Sequence, residues 1–221
     1  IKVTVLYSTL SFKNLNLPSF ASISSVKTLI ASSAAITSFI FPVLALGLRS
    51  VLDFKIINFS NGCINTTQEN NIISTAKHFP GHGDTDVDSH LDLPIVNNSM
   101  AHIDAIDFFP FRAGIRAGAS SVMIGHLNIP AIDPSGTPSS LSKVTINKYL
   151  KEELGFQGLV ISDALGMKAV ADRYGKTEVV VKAFEAGCDI LLFPKSIVGG
   201  IDAIEKKVKS GGITEDEINR R

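Results

Sequence analysis

At 221 residues the chain is sized for one large domain or two small ones, and one is expected. Hydrophobic content of 45% against 19% charged residues describes a globular protein able to bury a core, which excludes a disordered chain. The 21 basic residues balance 21 acidic ones, so no global charge draws the protein to nucleic acid or to an anionic membrane. Cys63 and Cys188 stand alone, without the spacing of a metal site, a redox pair or a disulfide framework.

Read from the first residue, composition changes near residue 60. The first 60 residues hold one glycine (Gly47) and one acidic residue (Asp53) but eleven serines, a poor basis for turns and solvated faces. Residues 28–48, "TLIASSAAITSFIFPVLALGL", carry no charge and are just long enough to span a bilayer. The hydroxyls of Ser32, Ser33, Thr37 and Ser38, with Pro42 inside the run, favour buried sequence over a membrane span. Both ends look cut: the chain opens on Ile1, and a capping box of Thr214 and Glu217 starts a helix just before the last residue. A fragment is therefore expected, with any signal peptide lost.

After residue 70 the pattern is regular. "IISTAKHF" is a short β-rich run, and the spacing of Ile103, Ile106, Phe109 and Ile115 predicts a helix over Ser99 to Gly118. "SSVMIGHL" is a second apolar run. Ser142 is placed to cap a helix that ends at Gly155. "GLVISDAL" makes a third strand, Thr177 to Ala186 a helix stopped by Gly187, "CDILLFP" a fourth strand, and Ile201 to Lys209 a last helix. Strands that are nearly continuous in apolar residues, alternating with helices, indicate a buried parallel sheet: half of a (β/α)₈ TIM-type barrel, with a doubly wound sheet as the competitor. In either, chemistry gathers at the carboxyl ends of the strands.

Two segments fall there. The first is "KHFPGHGDTDVDSH", Lys77 to His90, with three of the five histidines. His78 and His82 have the spacing of a helical metal pair, but Pro80, Gly81 and Gly83 forbid that helix, so no metal is expected. A polar loop satisfying its own backbone is the plain alternative. Asp88 and His90 are two apart, which in extended chain sets both side chains on one side, where a carboxylate can orient an imidazole that gives and takes protons. The second segment is Asp163, delivered by the strand "GLVIS"; it is either a turn cap or a nucleophile facing a separate proton donor, as in retaining glycoside hydrolysis.

"KHFPGHGDTDVDSH", "SSLS" (Ser139–Ser142) and "GFQGLVISDALGM" (Gly155–Met167), in this order, resemble glycoside hydrolase family 3, in its β-N-acetylhexosaminidase branch. The resemblance covers about residues 70 to 221. It implies a (β/α)₈ barrel, incomplete or with an aberrant N-terminal part. Residues 1–70 would be an N-terminal barrel region that departs from the family, and 71–221 the C-terminal half of the catalytic barrel. A frame-shifted or mis-assembled upstream segment would account for the departure, and would leave the chain inactive.

The function implied is a retaining exo-β-N-acetylglucosaminidase that removes terminal β-linked N-acetylglucosamine, including from peptidoglycan fragments. Asp163 would be the nucleophile, and His90 with Asp88 the acid/base dyad. Lys77 and His78 would grip sugar hydroxyls, with Arg49 as a further substrate-holding residue and His126 lining the pocket; His82 would brace the loop. No cofactor is implied. The expected partner is a carbohydrate substrate, with neither nucleic acid nor membrane. Oligomeric state is left open, and periplasm or secretion is favoured over cytoplasm. A phosphorylase that uses phosphate and an inactive carbohydrate-binding remnant are the alternatives.

Overall fold

A computed structural model describes residues 2–5, 49–83, 85 and 93–221, with side chains from 57 onward. The chain divides into two units, Ile1–Leu6 with Phe59–Arg221, and Tyr7–Asn58. Of the second, only the start of a helix at Arg49 is described, and the apolar run 28–48 lies outside the described residues. Among the described residues no helix is long and apolar enough to cross a membrane.

The first unit is built on one sheet. Strands β1 (Lys2–Val5), β2 (Ser74–Phe79), β3 (Ser121–Ile124) and β4 (Leu159–Ser162) lie side by side in that order. β2, β3 and β4 run parallel, whereas β1 pairs antiparallel with β2. The three parallel strands are those expected from "IISTAKHF", "SSVMIGHL" and "GLVISDAL", and their residues are almost wholly buried because helices cover them. The fourth expected strand is reduced to a parallel bridge between Ile161 and Ile190. The fold is thus a partial α/β layer with a three-stranded parallel sheet, and the antiparallel β1 was not foreseen.

Helix α1 (Arg49–Glu69) precedes β2. Its Ile64 is fully buried, and one turn later Gln68 ties the amino-terminal ends of the strands together. The Gln68 Oε1 accepts from the Ser74 hydroxyl (2.7 Å), the Ser120 amide (2.8 Å) and the Ser120 hydroxyl (2.5 Å), while its Nε2 donates to the Gly118 carbonyl (2.6 Å). A Gln68→Leu variant keeps the bulk but strands these partners; urea unfolding should show it about 1–3 kcal/mol less stable.

Between β2 and β3 runs a helical stretch, α2, made of Met100–His102, a π-turn Ile103–Asp107 and Phe108–Arg116. Ser99 caps it by accepting from the His102 amide. The Phe108 amide bonds back to the Ile103 carbonyl, five residues away. That widened turn lies just upstream of Pro110, whose ring would clash with the Ile106 carbonyl in a regular helix. It also shifts the phase of the buried face. Ile103, Phe108 and Phe111 enter the core, and Phe109, expected there from α-helical spacing, is 48% exposed. Phe108 stacks on Phe79 of β2 (5.4 Å between centroids), and Phe111 meets the same ring edge-on (5.1 Å).

Helix α3 (Val144–Glu153) follows β3, with the Thr145 amide donating to the Ser142 hydroxyl as the capping pattern requires. It ends before Gly155, whose φ of 71° an L side chain would adopt only under strain. Helices α4 (Lys168–Tyr174), α5 (Glu178–Ala186), α6 (Ile197–Lys209) and α7 (Glu215–Asn219) complete the unit.

Candidate active site

Three of the candidate residues, Lys77, His78 and Asp163, lie toward the carboxyl ends of the parallel strands. Lys77 and His78 are consecutive on β2, both half-buried. There the pairing with β3 slips: the four residues of β2 from Ala76 to Phe79 stand opposite the three of β3 from Val122 to Ile124. Such a bulge re-aims side chains at the rim of a sheet.

Asp163 follows the last residue of β4. Its amide donates to the Ile124 carbonyl of β3 (2.9 Å), which fixes the backbone at the strand end. One carboxylate oxygen, Oδ1, accepts from the next amide, Ala164 (2.8 Å). The other, Oδ2, faces His78, with Nε2 at 3.8 Å. Both side chains keep about a fifth of their surface exposed (21% for His78, 18% for Asp163), so the pair opens to solvent. One oxygen is therefore held by its own turn while the second is presented beside an imidazole.

Downstream of His78 the loop is braced as expected for His82. The Thr85 hydroxyl lies 2.9 Å from His82 Nδ1 and also contacts the His82 carbonyl, while the His82 ring meets His78 edge-on at 5.8 Å. Gly81 has no room for a side chain: a Cβ there would lie 2.5 Å from Oδ1 of Asp107, at the end of the π-turn in α2. The outer helix thus packs directly on the loop that carries the candidate machinery.

Three of the proposed site residues cannot be located in the same way. Asp88 and His90 lie outside the described residues. Arg49 is the first residue of α1, and its side chain is likewise outside them.

His126, expected to line the pocket, is placed otherwise. It sits two residues beyond β3 with none of its surface exposed. Nδ1 lies 2.6 Å from the Ser140 hydroxyl and Nε2 3.0 Å from the Ala164 carbonyl. Both nitrogens are engaged by the protein, so no edge remains for a sugar. Burial pushes its pKa below the ordinary value, although the Ala164 carbonyl and the Asp163 carboxylate pull the other way. The unfolded chain protonates this imidazole below about pH 6.5, whereas the folded one resists. The contribution to stability is thus intact above that pH and lost progressively as pH falls below it. Urea midpoints between pH 7.5 and 5 should fall more for the wild type than for His126→Gln, which has no proton to bind there.

Sequence reasoning treated Ser139, Ser140 and Ser142 only as a family signature and a cap. All three are buried, and each ties back to the segment after β3. Ser139 donates to the Leu127 carbonyl (2.9 Å), Ser140 meets His126, and Ser142 donates to Asp133 (2.5 Å). Three hydroxyls within four residues of a Pro-containing turn look like ordinary turn chemistry; their burial is visible only in the fold.

A parallel sheet with a carboxylate anchored at one strand end and a lysine–histidine pair at another defines an α/β protein of the kind that keeps acid–base groups at the carboxyl ends of its strands. The chain belongs to glycosyl hydrolase family 3: the profile of that family's N-terminal domain matches residues 54–221. It is 36% identical over 137 residues to the beta-hexosaminidase A of Pseudoalteromonas piscicida, covering 57% of this chain and 23% of that protein. It is 40% identical over 119 residues to a beta-hexosaminidase of Neisseria meningitidis serogroup C, covering 54% of this chain and 32% of that protein. Among solved structures, a family 3 beta-N-acetylglucosaminidase from Paenibacillus sp. superposes with a TM-score of 0.70 at 38% identity, over 72% of this chain and 31% of the other. The chain spans about a quarter to a third of the length of these relatives.

Proposed function

We propose that residues 71–221 form the C-terminal half of a (β/α)₈ catalytic barrel that removes terminal β-linked N-acetylglucosamine with retention of configuration. The observation that carries the reading is Asp163: one carboxylate oxygen is tied to the Ala164 amide and the other is turned toward the half-buried His78. Its relatives' names, beta-hexosaminidase and beta-N-acetylglucosaminidase, support the same substrate class. Apolar surface on Ile190, Phe193, Ile197, Val198 and Ile201, where the sheet thins out, supports a barrel that continues past these strands.

In the mechanism, Asp163 attacks the anomeric carbon while His90, oriented by Asp88, protonates the departing glycosidic oxygen. The glycosyl–aspartyl ester is then hydrolysed by a water that His90 deprotonates, which returns Asp163 as a carboxylate and His90 as an acid. Lys77 donates a charged hydrogen bond to a sugar hydroxyl, and His78 offers a second donor or acceptor within reach of Asp163. Arg49 adds a further hold on the substrate.

The test uses a chimaera in which residues 54–221 replace the matching stretch of a full-length beta-hexosaminidase, assayed on 4-nitrophenyl β-N-acetylglucosaminide with and without phosphate. Free N-acetylglucosamine in both is expected. A glycosyl phosphate product would convert the reading to a phosphorylase, and binding of N-acetylglucosamine without turnover would reduce the chain to a carbohydrate-binding remnant.

A further inference from the structure

We propose that Ser140 and His126 form a buried positioning relay that holds the Asp163 turn. The inference rests on the reading of Asp163 as the nucleophile, and its geometry follows from which atoms can donate. The Ala164 carbonyl can only accept, so the His126 nitrogen facing it, Nε2 at 3.0 Å, carries the hydrogen. A neutral imidazole has one N–H, which leaves Nδ1 as an acceptor. The Ser140 hydroxyl, 2.6 Å away, therefore donates to it. Burial favours that neutral form. Hydroxyl, imidazole and carbonyl form a one-directional chain, and Ser140 is itself fully buried, with the Cys188 thiol against its carbonyl at 3.6 Å.

The target of the relay is what gives it a role. Beyond the end of β4 the ladder no longer pairs the backbone, and a buried carbonyl there needs another partner. Three tethers replace the ladder: the Asp163 amide to the Ile124 carbonyl (2.9 Å), the Ala164 carbonyl to His126, and the Leu165 amide to the Leu192 carbonyl (2.8 Å). The first and third are backbone bonds to neighbouring segments. His126 is the one side-chain tether of the three. It fixes the peptide plane after Ala164, while the Ala164 amide holds Oδ1 of Asp163. Small displacements of a reacting group cost rate steeply, so His126 acts on the carboxylate through the backbone and touches no substrate.

The relay can be read on the whole chain without turnover. Imidazole ¹⁵N spectra at pH 8 should show His126 as the Nε2–H tautomer. Amide exchange should then report the tether. In His126→Leu the Asp163 and Leu165 amides should exchange about tenfold faster relative to Val122 and Ile161, the worth of one buried hydrogen bond. His126→Gln places an amide donor where Nε2 was and should restore protection to within about threefold. Ser140→Ala should keep the Nε2–H donor but allow His126 to take up a proton at higher pH. An Nδ1–H tautomer, protonation at the ordinary histidine pH, unchanged exchange in His126→Leu, or equal acceleration across the sheet would each overturn the relay. If the leucine variant fails to fold, the wild-type tautomer and the glutamine and alanine variants still decide. Should turnover show that Asp163 is not the nucleophile, these spectra would be unaffected, so the two failures are told apart.

Discussion

Asp163→Ala should lower turnover of an aryl β-N-acetylglucosaminide by roughly 10⁴- to 10⁶-fold, the range reached when a covalent nucleophile or its base is removed. Fold and substrate binding should survive: the backbone bond from Asp163 to Ile124 does not involve its side chain, and only the short bond from Ala164 to Oδ1 is lost. The cavity left by the carboxylate gives a second readout. Azide can enter it and attack the anomeric carbon from the face Asp163 would have used, and the leaving group departs from the other. Rescue should therefore yield the α-glycosyl azide from a β-glycoside. Full turnover in the alanine variant, or a β-azide product, would remove Asp163 from the nucleophile role.

The proton donor has a different signature. If His90 protonates the leaving oxygen, His90→Ala should cost about 10²- to 10⁴-fold on substrates with poor leaving groups. The loss should shrink as the aryl group becomes a better leaving group, because departure then needs less protonation. Asp88→Asn should follow the same trend more weakly. In the proposed role the Asp88 carboxylate would select the imidazole tautomer and stabilise the cation without taking the proton, so its loss should slow the transfer and leave binding nearly intact. Single-turnover rates over a series of aryl glycosides check both variants. Equal losses along the whole series would exclude His90 as the acid.

What the sequence made legible follows from how each element is stabilised. β3 and β4 were readable because a strand buried on both faces is nearly continuous in apolar residues, and β2 as a short β-rich run. "CDILLFP" has the same composition, yet only Ile190 bridges to β4. Its other residues pair differently: the Leu192 amide goes to the Ser162 hydroxyl, and Asp189 turns its carboxylate to the Val160 amide. α1 escaped notice because polar residues and Gly62 interrupt any apolar stripe, so its helix depends on tertiary contacts such as those of Gln68. Phe109 was misplaced because a single widened turn breaks the 3.6-residue period on which the reading depends. Among the candidate site residues, Asp163 was picked out by its strand-end position, and Lys77 and His78 by the resemblance to the family. His126 was misplaced, since a histidine after an apolar strand has the same sequence signature whether it faces a ligand or a buried serine.

The tethers around Asp163 also set when in synthesis this part of the protein can become competent. Thr75 pairs with Ser121 across 46 residues, and His126 reaches Ala164 across 38. Loops of that length must close before any of these contacts stabilises the chain, a pattern associated with slow folding. The last tether comes from Leu192, 27 residues beyond the Leu165 it holds. On the ribosome, a nascent chain that has already exposed Lys77, His78 and Asp163 still lacks the segment that locks the turn. The turn at Asp163 is therefore locked only after the polypeptide beyond α5 has emerged and folded back.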